Sequence, residues 1–239
     1  MQEMQEMQEQ FPLPHVRKYF FLFMYPVHEN KLCVYRCAPR GTRSCTPCKS
    51  CMSQTLAIDP GSVSGAVVLA ESASVLAWGV WTRTNTITGD LRFRDSDGDQ
   101  ATLLPYDLGQ RLRGWMSARP RLLIEGLFAG GKAGSRRGAA SIACAMAAGA
   151  LWAPLSPLAS EVIMPKARRD RASEPLGWRA AVLGLPDDCP ADRCEDIAIQ
   201  RAPQLLRWGD PDPFARGARM LTLAELGALA EAGCMTLYP

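Results

Sequence analysis

The chain predicts an α/β fold, a mixed β-sheet flanked by α-helices, and three observations carry that reading. A short apolar run, Leu56-Ala57-Ile58, ends on Asp59, turns through Pro60-Gly61 and restarts at Gly65-Ala66-Val67-Val68-Leu69. This is the pattern of a buried strand, a tight turn and a second strand. A second run, Leu122-Leu123-Ile124, ends in the same way on Glu125 and Gly126. Around these, helical periodicities alternate with strand-like runs, the order expected when helices pack against one sheet.

Taken in order, strands are expected near 55–59, 64–70 and 75–81, the last rich in Val and Trp. Residues 82–100 carry Thr, Asn, Gly and Asp and read as a loop or a long hairpin connection. Leu104, Leu108, Leu112 and Trp115 recur at three- and four-residue intervals, which argues an amphipathic helix before a strand at 121–125. Gly126–Gly138 is a glycine-rich loop. Ala139–Leu151 is an Ala-rich helix whose Cys144 and Met146 are expected in the core. A strand at 161–164, a helix at 176–183 and an acidic helix at 191–202 follow. Residues 204–239 form a tail in which Trp208–Pro213 reads as a turn-rich linker and 221–232 as an amphipathic helix. That helix either packs on the domain or offers Leu223, Leu226 and Leu229 to a dimer contact.

The acids direct the functional reading. Desolvating a carboxylate at a buried strand end is costly unless it has a partner, and a cation is the usual one. Asp59 and Glu125 both stand at such ends, and Asp192 and Glu195 lie at i and i+3 on one helix face. Hard oxygen ligands of this kind suit Mg²⁺, with Mn²⁺ as a substitute. Asp196 competes with Glu195 for the last place.

Composition fits a globular domain, with 47% hydrophobic residues and a formal charge of +3. The charge is unevenly spread: from Arg111 to Arg179 there are twelve Lys/Arg against four Asp/Glu. Lys132, Arg136 and Arg137 follow Glu125, and Lys166, Arg168, Arg169 and Arg171 form a second cluster. Cations around a centre of acids suit a phosphate backbone, although either cluster alone is also what a solvated basic face looks like. Both histidines, His15 and His28, precede the core segment, which removes His-based nucleophilic triads and leaves metal-activated water as the nucleophile.

These residues resemble a known family, the RuvC-type Holliday junction resolvases of the RNase H-like superfamily. The matching text is Ile58-Asp59-Pro60-Gly61-Ser62, then Ile124-Glu125-Gly126-Leu127-Phe128, then Leu185-Pro186, Ala191-Asp192-Arg193-Cys194-Glu195 and Ala198-Ile199. It spans about Thr55 to Ala202. The resemblance implies an RNase H-like mixed sheet and places Asp59, Glu125, Asp192 and Glu195 on the four catalytic, metal-binding acids. The last of these is Asp in the best-known members. It places Phe128 on an aromatic that stacks against junction bases, and it implies a homodimer that nicks two strands of a four-way junction, in line with C₂ symmetry.

The expected activity is therefore Mg²⁺-dependent hydrolysis of a DNA phosphodiester in recombination, repair or phage DNA processing, in the cytoplasm of a bacterium or a phage-infected host. Two metal ions at the four acids would activate a water and stabilise the departing 3′ oxygen. Lys166 or a neighbouring arginine would offset charge on the transition state. The nucleic-acid contacts are expected from Phe128, Lys132, Arg136, Arg137, Arg168, Arg169 and Arg171. Three other readings stay open: an RNase H-like nuclease acting on another branched or hybrid substrate, a non-catalytic junction-binding module, and an actin-like ATPase whose Asp-x-Gly turn holds nucleotide phosphate.

The segment before Met52 differs in character. It opens with a repeated Met-Gln-Glu and holds five of the nine cysteines, Cys33, Cys37, Cys45, Cys48 and Cys51. Tetrahedral zinc needs paired thiolates on tight turns, and this spacing lacks the two separated knuckles of a zinc ribbon. Residues 1–51 thus read as a low-complexity, Cys-rich extension with zinc as the lesser alternative, 52–203 as the nuclease domain, and 204–239 as linker and terminal helix. The apolar run Phe20–Tyr25 is too short to span a membrane.

Overall fold

A computed structural model describes residues 54–61, 63–84, 89–126, 136–167, 173–186, 188–215 and 221–239, with the backbone alone at 136–141 and 191. The chain divides into two units, Met1–Thr46 and Pro47–Pro239, and all described residues belong to the second.

Among the described residues seven strands form one mixed sheet: β1 (Gln54–Asp59), β2 (Ser64–Glu71), β3 (Ser74–Arg83), β4 (Leu91–Asp95), β5 (Gln100–Leu103), β6 (Arg121–Ile124) and β7 (Glu161–Ile163). Their spatial order is β5-β4-β3-β2-β1-β6-β7. β1 pairs antiparallel with β2 on one side and parallel with β6 on the other, and β6 pairs parallel with β7. Among the described residues five α-helices flank the sheet: α1 (Pro105–Leu112), α2 (Arg136–Leu155), α3 (Trp178–Leu183), α4 (Ala191–Leu205) and α5 (Leu223–Met235).

Period-two alternation along β1 and β6 divides the core into two layers. Leu56, Ile58, Leu122 and Ile124 face α1 and α2, where Leu108, Leu112, Leu151 and Leu155 close the first layer. Ala57 and Leu123 face the other way, with Trp178 of α3, Ala198 of α4 and Ala230 of α5. On that second face α5 lies directly on β1, β2 and β3, and α4 packs against α5.

The expected strands at 55–59, 64–70, 75–81, 121–125 and 161–164 are present to within two residues. The stretch 82–100 is corrected: it contains β4, whose buried Leu91 and Phe93 alternate with the exposed Arg92 and the half-buried Arg94. Five residues with two arginines look like a polar loop, yet alternation suffices to pin a strand against β3. Met146 is likewise corrected. It is 70% exposed, because the buried stripe of α2 is Ala147, Ala148, Leu151 and Leu155, while Cys144 is half-buried.

The helix at 221–232 proves to be α5, Leu223–Met235, opened by a capping box in which Thr222 and Glu225 satisfy each other's backbone N–H groups. It is not amphipathic: every residue from Gly227 to Met235 is buried. Leu229 is fully enclosed by the sheet, so it has no surface for a dimer contact, whereas Leu223 is 71% exposed. Trp208–Pro213 is packed rather than extended, with Trp208 Nε1 donating to the Ala202 carbonyl at 3.2 Å and its ring stacked at a tilt on Phe214. Among the described residues no helix is long and apolar enough to cross a membrane.

Candidate functional site

Asp59 is the last residue of β1, and Glu125 is the first beyond β6. Ile58 and Ile124 are paired across the parallel ladder, and the Glu125 N–H continues it to the Ile58 carbonyl at 3.0 Å. The two acids therefore emerge side by side at adjacent carboxyl-terminal strand ends, where ligands bind in open α/β sheets. Alternation turns both toward the face covered by α3, α4 and α5. The β1–β2 turn is tight here: a Cβ at Gly65 would collide with the Trp81 ring and the Asp59 carbonyl.

Asp59 is buried, at 8% exposure. Burial first, then the charges of Glu125 and Glu231 and a hydrogen bond to Glu125, hold its carboxyl well above the usual range. A buried acid beside a second acid retains a proton unless a cation replaces it.

Three residues that sequence reasoning passed over complete the surroundings. Trp178 Nε1, in the first turn of α3, donates to Glu125 Oε1 at 3.1 Å. Its neighbour Arg179 places Nη2 at 2.7 Å from Glu231 Oε1 and at 3.8 Å from Glu125 Oε1. The closer contact is an ion pair, and among the described residues the buried Arg179 Nε has no hydrogen-bond partner. Glu231 sits in the middle of α5. Burial pushes its carboxyl up to about 7 against the pull of Arg179, with Glu125 and Glu195 adding to the rise. Arg179 keeps its proton: burial opposes its charge, but Glu231 and Glu125 outweigh it and raise its pKa. The one sequence signal for Glu231 is a lone acid inside Leu229-Ala230-Glu231-Ala232-Gly233-Cys234-Met235, otherwise uncharged.

The predicted acids on α4 divide. Glu195 is half-buried and lies so close over Gly227 of α5 that any Cβ there would overlap it. Asp192 and Asp196 are exposed, and Asp192 is not among the groups acting most strongly on Asp59 or Glu231. The structure thus gathers Asp59, Glu125 and Glu195 toward one region with the unpredicted Glu231, while Asp192 is exposed on α4. Lys166 reaches the same end of the sheet through a backbone bridge to Gly126, and its Nζ pairs with Glu174 at 3.0 Å. Beside Glu125, a mainly apolar pocket of about 230 Å³ is lined by Gly126, Ala145, Ala148, Gly149, Trp152 and Met164.

Phe128, Lys132, Arg168, Arg169, Arg171 and the cysteines Cys33, Cys37, Cys45, Cys48 and Cys51 lie outside the described residues. Arg136 and Arg137 open α2.

Among the described residues no group of three or more His, Cys, Asp or Glu side chains is arranged to hold a metal ion. The donor set nonetheless fits Mg²⁺, which characteristically uses one or two protein carboxylates and fills its remaining positions with water and substrate phosphate. Asp59 and Glu125 offer two such oxygens, and of the described groups acting most strongly on Asp59, Glu125 and Glu231 stand against Arg179. Burial also pushes the nearby thiols up, Cys194 to about 11 and Cys234 to about 12, which keeps both from acting as thiolate nucleophiles at neutral pH. In sequence comparisons no family model matches the chain, and no curated protein matches it.

Proposed function

We propose that the chain is a metal-dependent, structure-specific DNA endonuclease with an RNase H-like fold, acting as a homodimer on four-way junctions in the manner of the RuvC-type resolvases it resembles. The observation that carries this reading is the pairing, at adjacent strand ends, of the buried Asp59 with the half-buried Glu125, whose side chains are hydrogen-bonded to each other. The sheet is compatible with it as well: β1 lies in its interior, antiparallel to its neighbour on one side and parallel to that on the other, in the kind of mixed sheet the resemblance implies. Glu195, turned inward from α4, supplies a third acid from the element the resemblance points to.

In this reading Asp59 and Glu125 would hold a divalent cation. Such an ion supplies the charge that makes a bound water nucleophilic and steadies the leaving oxygen. Trp178 fixes the Glu125 carboxylate by its indole N–H, and burial of Asp59 keeps competing water from its carboxylate. Lys166, at the lip beside Gly126, meets the phosphate and stabilises developing negative charge.

The test is a single incubation series with a four-way junction, a fork, a linear duplex and an RNA–DNA hybrid, each with and without Mg²⁺. Paired, Mg²⁺-dependent nicks in the junction alone are expected. Preferred cleavage of the hybrid moves the substrate within the same chemistry. Junction binding that never leads to cutting in Mg²⁺ or Mn²⁺ makes the protein a binding module. Stabilisation by ATP with no DNA binding assigns the Asp59 turn to nucleotide phosphate.

A further inference from the structure

We propose that Glu231 acts as a keeper of Arg179: it holds the guanidinium away from Glu125, so that the Asp59–Glu125 pair stays open to a divalent cation. The inference rests on the reading of that pair as a metal site.

Arg179 is one cation between two acids. Its Nη2 is 2.7 Å from Glu231 and 3.8 Å from Glu125, so it belongs to the acid on α5 rather than to the one at the strand end. Its buried Nε has no hydrogen-bond partner among the described residues, so the guanidinium is not gripped there through two bonds. The position of the head is set by charge. Guanidinium and carboxylate form their strongest contact as a two-bond fork, and Glu125 is the nearest acid to which Arg179 would turn if Glu231 lost its charge. A guanidinium seated on Glu125 competes with a metal for the same oxygens. Glu231 itself is anchored, since the helix around it is buried against the sheet. Arg179 and Glu231 are thus positioning residues. Neither needs to touch the substrate.

The two acids on either side of Arg179 give the proposal an unusual signature: removing the two members of one ion pair shifts metal affinity in opposite directions. The measurement is Mn²⁺ binding to the full chain, by calorimetry and electron paramagnetic resonance, together with the Mn²⁺-induced rise in melting temperature. Glu231→Gln is expected to weaken binding about tenfold, the effect of one displaced neighbouring charge, and Arg179→Gln to tighten it about threefold or more. The double variant is expected to bind at least as tightly as the parent, because with the guanidinium gone there is nothing left to keep. A purely structural pair predicts otherwise, with both single variants weakened and the double no better than the worse of them; that pattern, or parental affinity in Glu231→Gln, overturns the proposal. If Glu231→Gln fails to fold, the sign of the Arg179→Gln shift decides: tighter binding supports the keeper and weaker or unchanged binding overturns it. A parent chain that binds no Mn²⁺ at all overturns the metal site and the keeper together, and so is distinguishable from failure of the keeper alone.

Discussion

Asp59 and Glu125 meet because two strands that are far apart in the chain lie next to each other in parallel, and the proposed chemistry rests on that contact. Asp59→Asn and Glu125→Gln should each lower junction cleavage by at least about a hundredfold, the scale at which single positioned catalytic groups act. Junction binding, measured by gel shift in Ca²⁺, should be retained or improved, since each change removes negative charge near a phosphate. Cleavage within a few-fold of the parent by either variant would refute the site. The same acids impose a pH dependence. Glu231 releases its proton at an ordinary 4.5 when unfolded and at about 7 when folded. The folded state therefore holds the extra proton between those values, and stability of the metal-free protein falls as pH rises through that window, then levels off. Asp59, shifted the same way, steepens the fall. Urea midpoints taken from about pH 5 to about pH 8 should show a loss of roughly 3 kcal/mol, as the size of the Glu231 shift implies. Glu231→Gln should flatten the curve, and Mg²⁺ should restore stability at its upper end by drawing on the ionised carboxylates.

At the scale of elements, α5 decides most. It touches three strands and α4, and it brings Glu231 and Gly227 to the site. Leu229→Ala should cost about 2–5 kcal/mol in a denaturant titration, the usual range for a leucine with no exposed surface. Gly227→Ala is a subtler test: the added methyl displaces the flexible end of Glu195 rather than backbone, so cleavage should fall severalfold while the melting temperature changes little. An equal loss of both would show Glu195 to be a packing residue. This helix is only half legible in the sequence. The spacing of Leu223, Leu226 and Leu229 suggests one apolar stripe, but Ala228, Ala230, Ala232 and Gly233 make the other faces small enough to bury, and small residues leave no periodic mark. β4 is hidden for the opposite reason, because two arginines in five residues mask the alternation of Leu91 and Phe93. β1, β2, β3 and β6 are plain, since continuous apolar runs bounded by turns have few other solutions.

For the molecule as a whole, the two strand-end acids are readable from their local pattern, whereas the Trp178–Arg179–Glu231 surroundings are not. Arg179 and Glu231 lie 52 positions apart on helices whose own sequences demand neither residue, and only the packing of α3 beside α5 joins them. Charge distribution is a property of this scale too. Arg136→Ala combined with Arg137→Ala should weaken binding to all branched DNA and reduce the slope of log affinity against log salt by about 1–2, one unit for each phosphate no longer neutralised. Phe128→Ala, in contrast, should slow cutting of intact junctions and spare junctions already unpaired at the centre, the behaviour of a base-stacking aromatic worth about 1–3 kcal/mol. A chain starting at Met52 should fold and cut with no added zinc. Insolubility of that chain, with stoichiometric zinc in the full-length protein, would instead make the five upstream cysteines structural.

The layering of α4 over α5 over the sheet has a consequence for synthesis. α5 is translated after every element it touches, yet it occupies the space between two of them. A nascent chain that has completed α4 still lacks the helix that covers the apolar face of β1, β2 and β3 and against which α4 packs. Until α5 emerges, Arg179 has no Glu231 and Glu195 has no floor beneath it. The acid pair is thus complete in the growing chain before its surroundings are: Gly227 and Glu231 are the last of these residues to be made.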